Sequence, residues 1–217
     1  MTGHQDLKEA KAAKLAATLP DAREALLALA WESVEQYHAS ILAHDQVQAA
    51  VASELNEAVI WKLNGSMFFG CMDSENPEAG GILVRDHCKT APGNVPLWGQ
   101  TGEFLIEVEG IRAVVEVTDG FGDGLWPNFG FHAVDTKSDF ISETGYRSAM
   151  PCPSYGKGVD EFACGHFMDL LKEKRRPLTP EYREESSLEA WEWLNPTPMV
   201  PADRCHEEDG GQLAFGF

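Results

Sequence analysis

Two short stretches hold most of the residues that could do chemistry. Thr118-Asp119-Gly120-Phe121-Gly122-Asp123-Gly124 places two carboxylates in a glycine-rich turn. Hard cations such as Ca²⁺ or Mg²⁺ take carboxylate and carbonyl oxygens, and glycine lets the backbone fold around them. The spacing is not that of an EF-hand, and a long turn between strands accounts for the same residues. The glycines make no phosphate cradle either, because neither GxxxxGK[ST] nor a strand–GxGxxG–helix context is present. Ser142-Glu143-Thr144-Gly145-Tyr146-Arg147-Ser148 packs hydroxyls, an acid and a base into one loop. With His132 and Asp135 it could supply a general base and an anion-holding arginine. Asp119, Asp123, His132, Asp135, Glu143 and Arg147 are therefore the candidate catalytic residues of a small enzyme whose site lies at the loops 118–124 and 142–148. The plainer alternative is turn chemistry over Ser142 to Gly145, with Tyr146 and Arg147 packing and pairing at a sheet edge.

The thiol and imidazole groups point less firmly. His87-Cys88, Cys164-Gly165-His166 and Cys205-His206 are the pairs, and Cys164, His166, Cys205 and His206 are four ligand types that zinc accepts. No CxxC is present, and adjacent residues such as Cys205 and His206 do not easily aim at one ion, so neither a metal nor a cofactor is expected. Five cysteines at scattered spacings argue for reduced thiols over a disulfide framework, and no recognisable elbow frames a cysteine nucleophile.

Charge constrains the partners. The 217 residues carry 35 Asp+Glu against 17 Lys+Arg, a formal net charge of −18, with an acidic excess in every third of the chain. Such a field repels phosphate backbones, anionic lipid and acidic substrates, and it attracts basic grooves. The reading that follows is an acidic protein-binding module. Its sharpest form is an inhibitor or nucleic-acid mimic, of the anti-restriction or anti-CRISPR type, that occupies the basic groove of a nucleic-acid-processing protein and makes no direct contact with nucleic acid. Glu181, Glu184, Glu185, Glu189 and Glu192, with Trp193 beside them, form the densest candidate patch. Spacings of three and four align acids along a helix face, a self-repulsion that a binding role would explain; a solvated helix face explains it too. The Lys172 to Arg176 cluster is the one basic run, and at a helix C-terminus it complements the helix dipole. A small enzyme at the central loops and an acidic regulatory or structural domain, in one form a homodimer through the Trp-bearing helices, are the alternatives. No leader and no apolar run of membrane-spanning length is seen, so a cytoplasmic protein without membrane contact is expected.

The elements that must position these groups read as α+β: a helical N-terminal part, a central antiparallel sheet in the form of a meander or bent sheet, and a C-terminal helical pair. The expected divisions are a helical region over 1–58, a β-rich core over 59–150, and a helical region with an irregular acidic tail over 151–217. Leu26, Leu27, Ala30, Val34, Tyr37 and Ile41 recur at helical spacing. Asp45 reads as an N-cap, with Val47, Val51, Leu55 and Val59 as the apolar side of the helix that follows. The strongest strand signal is a hairpin, Phe104–Val108 and Ile111–Val117 around Glu109-Gly110. Its register opposes Val108 to Ile111, Ile106 to Ala113, Phe104 to Val115, and Glu107 to Arg112 as an ion pair. Further strands are expected at Val59–Leu63, Ser66–Cys71, Ile82–Arg85 and Phe129–Val134. Beyond Pro151 and Pro153, Val159–Lys174 reads as a helix with Phe162, Phe167, Leu170 and Leu171 as its apolar side. A second helix follows Pro180, with Tyr182, Leu188, Trp191 and Leu194 inward.

Overall fold

A computed structural model describes residues 2–119, 125, 127–135, 137–185 and 191–194. The chain is α+β, built as α1 (Thr2–Ala16), α2 (Arg23–Leu42), α3 (Gln46–Leu63), α4 (Gly80–Cys88), β1 (Gly102–Val108), β2 (Ile111–Asp119), β3 (Pro127–Ala133), β4 (Tyr146–Ala149), α5 (Val159–Lys174) and α6 (Pro180–Glu185). These elements belong to one compact unit, Met1–Ser186. In the second unit, Ser187–Phe217, Glu192–Leu194 forms a 3-10 turn. No helix among the described residues is long and apolar enough to cross a membrane.

The N-terminal helices form because alanine and leucine dominate them and the caps sit where the helices stop. On α2, Leu26, Ala30, Val34, Tyr37 and Ile41 are buried, as their spacing requires. Asp45 accepts hydrogen bonds from the amides of Val47 (3.1 Å) and Gln48 (3.0 Å), satisfying two of the free donors that open α3. The buried side of α3 is rotated from the expected one. Ala49, Ala52, Asn56, Val59 and Ile60 face inward, while Val47 is 70% and Val51 48% exposed. Alanine wins the inner positions because small side chains let α3 approach both α2 and α1 closely, a preference that hydrophobicity alone does not reveal. The end of α1 is pinned by Lys62, whose Nζ donates to the carbonyls of Ala16 (3.1 Å) and Leu19 (2.7 Å) and pairs with Asp21 (2.8 Å). Those carbonyls lie at and just beyond the C-terminus of α1, where helical partners run out.

Three of the expected strands are not strands. Val59–Leu63 is the last turn of α3, where Val59 and Ile60 go on filling the helical core. A short apolar run carries no period that separates a strand from a buried helix end. Ser66–Cys71 is a series of turns, with positive φ at Gly65, Ser66 and Gly70, and it is organised by Asn64, whose amide donates to the carbonyls of Met67 and Phe69. Ile82–Arg85 lies in α4. A side chain at Gly80 would meet the carbonyl of Ile60 at 2.5 Å, so this glycine is what lets α4 start against the end of α3.

The sheet begins at Gly102 and is a four-stranded antiparallel meander in the order β1-β2-β3-β4. The hairpin register is the expected one in all four named pairs, across a two-residue turn in which Glu109 (φ 53°) and Gly110 (φ 74°) are both left-handed. Phe129–Val134 is met by β3, which pairs with β2 and β4. On the inner face, Phe104, Ile106, Ala113, Val115, Phe129 and Phe131 pack against α5, with ring contacts from Phe129 to Phe162 (5.2 Å) and from Phe131 to Phe167 (5.6 Å). Trp98 joins the helices to the sheet. Its amide donates to His38 Nδ1 (3.1 Å), its indole N–H donates to the carbonyl of Lys157 (2.7 Å), and its ring meets Phe129 and Phe162 edge-on. Helix and sheet residues thereby share one continuous apolar core.

Two expected features of the later chain differ. Arg112 does oppose Glu107 in register, but its guanidinium is forked onto Asp135 from the segment after β3, with Nε at 3.1 Å. A planar fork is satisfied better by a carboxylate approaching in its own plane than by a flexible glutamate on the neighbouring strand. Of the expected second C-terminal helix, Pro180–Glu185 is helical and Glu192–Leu194 is a 3-10 turn, while residues 186–190 lie outside the described residues.

Candidate nucleic-acid interface

On the outer face of the sheet the register sets Leu105, Val114, His132 and Tyr146 in one row across all four strands, and Glu103 opposite Glu116 in the next. His132 contacts Glu116 through Nε2 at 3.3 Å and lies 4.7 Å from the Tyr146 ring. The imidazole beside it holds the Glu116 carboxyl below the usual carboxylate range. Asp135 is likewise held down by the hydrogen bonds from Arg112. Glu143 pairs with Arg176 (3.2 Å) in a strap where Phe140 and Arg176 exchange backbone hydrogen bonds and the Thr179 amide donates to the Glu143 carbonyl. Tyr182 completes the strap by donating from its hydroxyl to the Ala133 carbonyl at 2.8 Å. Arg147 on β4 stands beside His166, whose burial lowers its pKa. His132, Asp135 and Glu143 are thus each engaged with a different partner, Glu116, Arg112 and Arg176. Asp119 ends β2; its side chain and Asp123 lie outside the described residues.

Of the acidic candidates, Glu181 is exposed at the start of α6 and Glu192 is exposed in the 3-10 turn with Trp193 half-buried next to it. The side chains of Glu184 and Glu185, and all of Glu189, lie outside the described residues. The basic run at the end of α5 is locally neutralised, with Lys172 on Asp169, Arg175 on Asp139 and Arg176 on Glu143. Burial pushes the Cys88 thiol up to about 11 and raises that of Cys164, which disfavours the nucleophilic thiolate at both. Among the described residues no group of three or more His, Cys, Asp or Glu could hold a metal; Cys205 and His206 lie outside them.

A different surface emerges between α1 and α3. Lys8, Lys11 and Lys14 follow one another at intervals of three along α1, and with Leu7, Leu15, Ala50 and Ser53 they line a groove of about 760 Å³. Lys8 pairs with Glu57 (3.3 Å) and Lys11 with Glu54 (2.6 Å), so α3 runs antiparallel to α1 with its acids toward its own C-terminal half. The hydrogen bond from Lys11 to Glu54 raises the Lys11 pKa. Lys14 is exposed and forms no ion pair among the described residues. Beside it the first turns of α3 present Gln46, Val47, Gln48, Ala50 and Val51, all exposed and all uncharged. The sequence carried a signal for this face in the lysine spacing on an alanine-rich helix. The total charge hid it, because the paired glutamates cancel the lysines in any count.

Residues 11–87 match the family model described as "KlcB N-terminal DNA-binding domain", and residues 101–191 match the one described as "KlcB third domain". Two curated proteins from Escherichia coli, each named Protein KlcB, are similar. One is 43% identical over 187 residues, covering 85% of this chain and 40% of its own length; the other is 45% identical over 177 residues, covering 81% and 44%. The chain therefore spans less than half the length of these relatives. No solved structure matches. The match over 11–87 overturns the expectation of an acidic DNA mimic that sits in a partner's basic groove, and with it the exclusion of direct nucleic-acid contact. The reason is one of scale: net charge sums the whole chain, whereas contact with a duplex is made by one face.

Proposed function

We propose that this protein binds duplex DNA through the face formed by α1 and α3. The observation that carries the reading is the similarity of residues 11–87 to a family described as a DNA-binding domain. The geometry supports a division of labour within the face. Lys8, Lys11 and Lys14 meet phosphates, which fixes the position of the protein without reading sequence. The exposed start of α3 meets base edges, where a glutamine amide pairs with adenine in two hydrogen bonds and the methyls of Val47, Ala50 and Val51 pack on thymine methyl groups. Lys8 and Lys11 exchange Glu57 and Glu54 for phosphate, a small loss because surface ion pairs of this kind contribute little. The net charge of −18 opposes association at long range, so binding is weak, and because salt screens this repulsion as well as the lysine–phosphate contacts, its salt dependence is shallow. A DNA-contacting role places the protein in the cytoplasm, with the DNA.

The test is fluorescence anisotropy of a labelled duplex of mixed sequence with the whole chain, titrated from about 50 mM salt upward. The expected slope of log K against log salt lies between about −1 and −3, one phosphate for each lysine engaged. Lys14→Glu lowers affinity about tenfold and makes that slope shallower by about one. Absence of binding at the lowest salt, or binding that the K11E/K14E double variant leaves unchanged, overturns the reading.

A further inference from the structure

A second site lies where α4 meets the sheet. A pocket of about 350 Å³ is walled on one side by Arg85 and Asp86, from the last turns of α4, and by Lys89 just after it. Thr101, Glu103, Glu116 and Thr118 of the sheet region wall the other side. Three features distinguish it from an ordinary surface dent. Lys89 and Glu103 line the same space yet form no ion pair among the described residues, so opposite charges stand apart across a gap. Glu103 and Glu116 are directly opposed across β1 and β2, a like-charge pair of which Glu116 is met by the His132 imidazole at 3.3 Å while Glu103 forms no ion pair among the described residues. Thr101, which lines both this pocket and a smaller void, is only 8% exposed, and its buried hydroxyl has no hydrogen-bond partner among the described residues. Buried hydroxyls are almost always satisfied, so rotation of this one toward a bound ligand would give it the partner it lacks. Met72, Arg85 and Thr101 also line a void of about 20 Å³ behind the pocket, which continues the space inward.

The segregation of charge defines the ligand. Arg85 is shared with its neighbour Asp86 at 3.0 Å, while Lys89 is not held in any ion pair among the described residues and acts on Glu116 through space. An anionic group is therefore drawn to Lys89 and an ammonium to Glu103, the two lining charges that no ion pair among the described residues holds, with the rotated Thr101 hydroxyl donating to the anionic group. The geometry points to a small zwitterion, of the class of a free α-amino acid, bound between α4 and the first two strands. The site stands on its own residues and does not depend on DNA binding. Its size falls at the lower end of small-molecule pockets, in keeping with a ligand of this class.

The experiment is saturation-transfer NMR and calorimetry on the whole chain with each of the twenty L-amino acids, and with acetate and methylammonium as the two half-ligands. At least one amino acid is expected to bind with a Kd of about 1 mM or tighter, and each half-ligand at least about tenfold more weakly. Lys89→Gln and Glu103→Gln, both at the solvent-facing rim, each weaken binding about tenfold with an unchanged amide spectrum, and Thr101→Val weakens it several-fold, about threefold or more. The proposal is overturned if no amino acid binds. It is also overturned if acetate competes as well as the best amino acid, which would make the site one for anions only, or if K89Q and E103Q bind as the parent does.

Discussion

The α1/α3 face and the outer face of the sheet both carry cations beside carboxylates, but they hold them differently. On the sheet, the Arg112 fork and the His132–Glu116 contact tie one strand to its neighbour or to the segment that follows it, and the acids have lowered pKa values. Between α1 and α3 the Lys11–Glu54 pair is solvent-exposed on both sides, and Lys14 has no carboxylate in the described structure at all. A cation built into strand pairing is part of the fold. A cation held only by an exposed acid remains available to another anion. The same residue types thus do structural work in one region and are free for the proposed binding in the other, and the surroundings decide which.

The comparison breaks first if the joint between the regions is removed. Trp98 is 1% exposed, hydrogen-bonded to His38 of α2 and to Lys157, and in ring contact with Phe129 of the sheet, so Trp98→Ala is expected to destabilise the unit by about 3–5 kcal/mol. Because one core serves helices and sheet, urea unfolding of the parent followed by far-UV circular dichroism and by tryptophan fluorescence should give coincident transitions, and W98A should shift both together. Two separated transitions would mean that the helices and the sheet fold as independent bodies. Gly80→Ala is next, since its methyl would press on a backbone carbonyl rather than on a movable side chain. A loss of about 1–3 kcal/mol is expected in the same urea experiment.

The two faces then separate by readout. Lys14→Glu should leave the urea midpoint in place and reduce duplex affinity about tenfold. Arg112→Gln should do the reverse, leaving duplex affinity unchanged and lowering stability by about 0.5–1 kcal/mol, a figure kept small because the arginine is well over a third exposed and screened by solvent. If R112Q lowers affinity as much as K14E, the division between structural and available cations is wrong.

Where the chain was legible, a local pattern and its tertiary use agreed. The β1–β2 register could be read because a two-residue turn and a period of two leave one pairing that buries Phe104, Ile106 and Val108 together. The α5 boundaries were equally readable from glycine and proline before it and a clear apolar stripe. Residues 59–85 were not, because Val59, Ile60, Ile82 and Val84 are apolar runs too short to show a period, and the close approach of α4 to α3 through Gly80 has no signature in a single chain. The proposed binding face was obscured for a related reason. Lys8 and Lys11 are cancelled by Glu57 and Glu54 more than forty residues away, and only the fold shows that Lys14 escapes the same cancellation.

The smallest expected effect concerns acid. His38 accepts a hydrogen bond from the Trp98 amide at Nδ1, and His166 is stacked on Phe162; desolvation lowers the pKa of both. A histidine with a depressed folded pKa is protonated first in the unfolded chain, which binds more protons than the native state as the pH falls below the ordinary value of about 6.5. Its contribution is therefore complete above that pH and is lost progressively on acidification through the folded pKa. Glu116 and Asp135, also depressed, add to the loss only further down, in the carboxylate range. His38→Asn keeps an acceptor for the Trp98 amide and removes the titration. Urea midpoints measured between about pH 7 and pH 5 should fall less steeply for H38N than for the parent. This tests the joint without breaking it: an equal slope in the two proteins would show that His38 is protonated as readily in the folded chain as in the unfolded one, and that its contact with Trp98 does not exclude the proton.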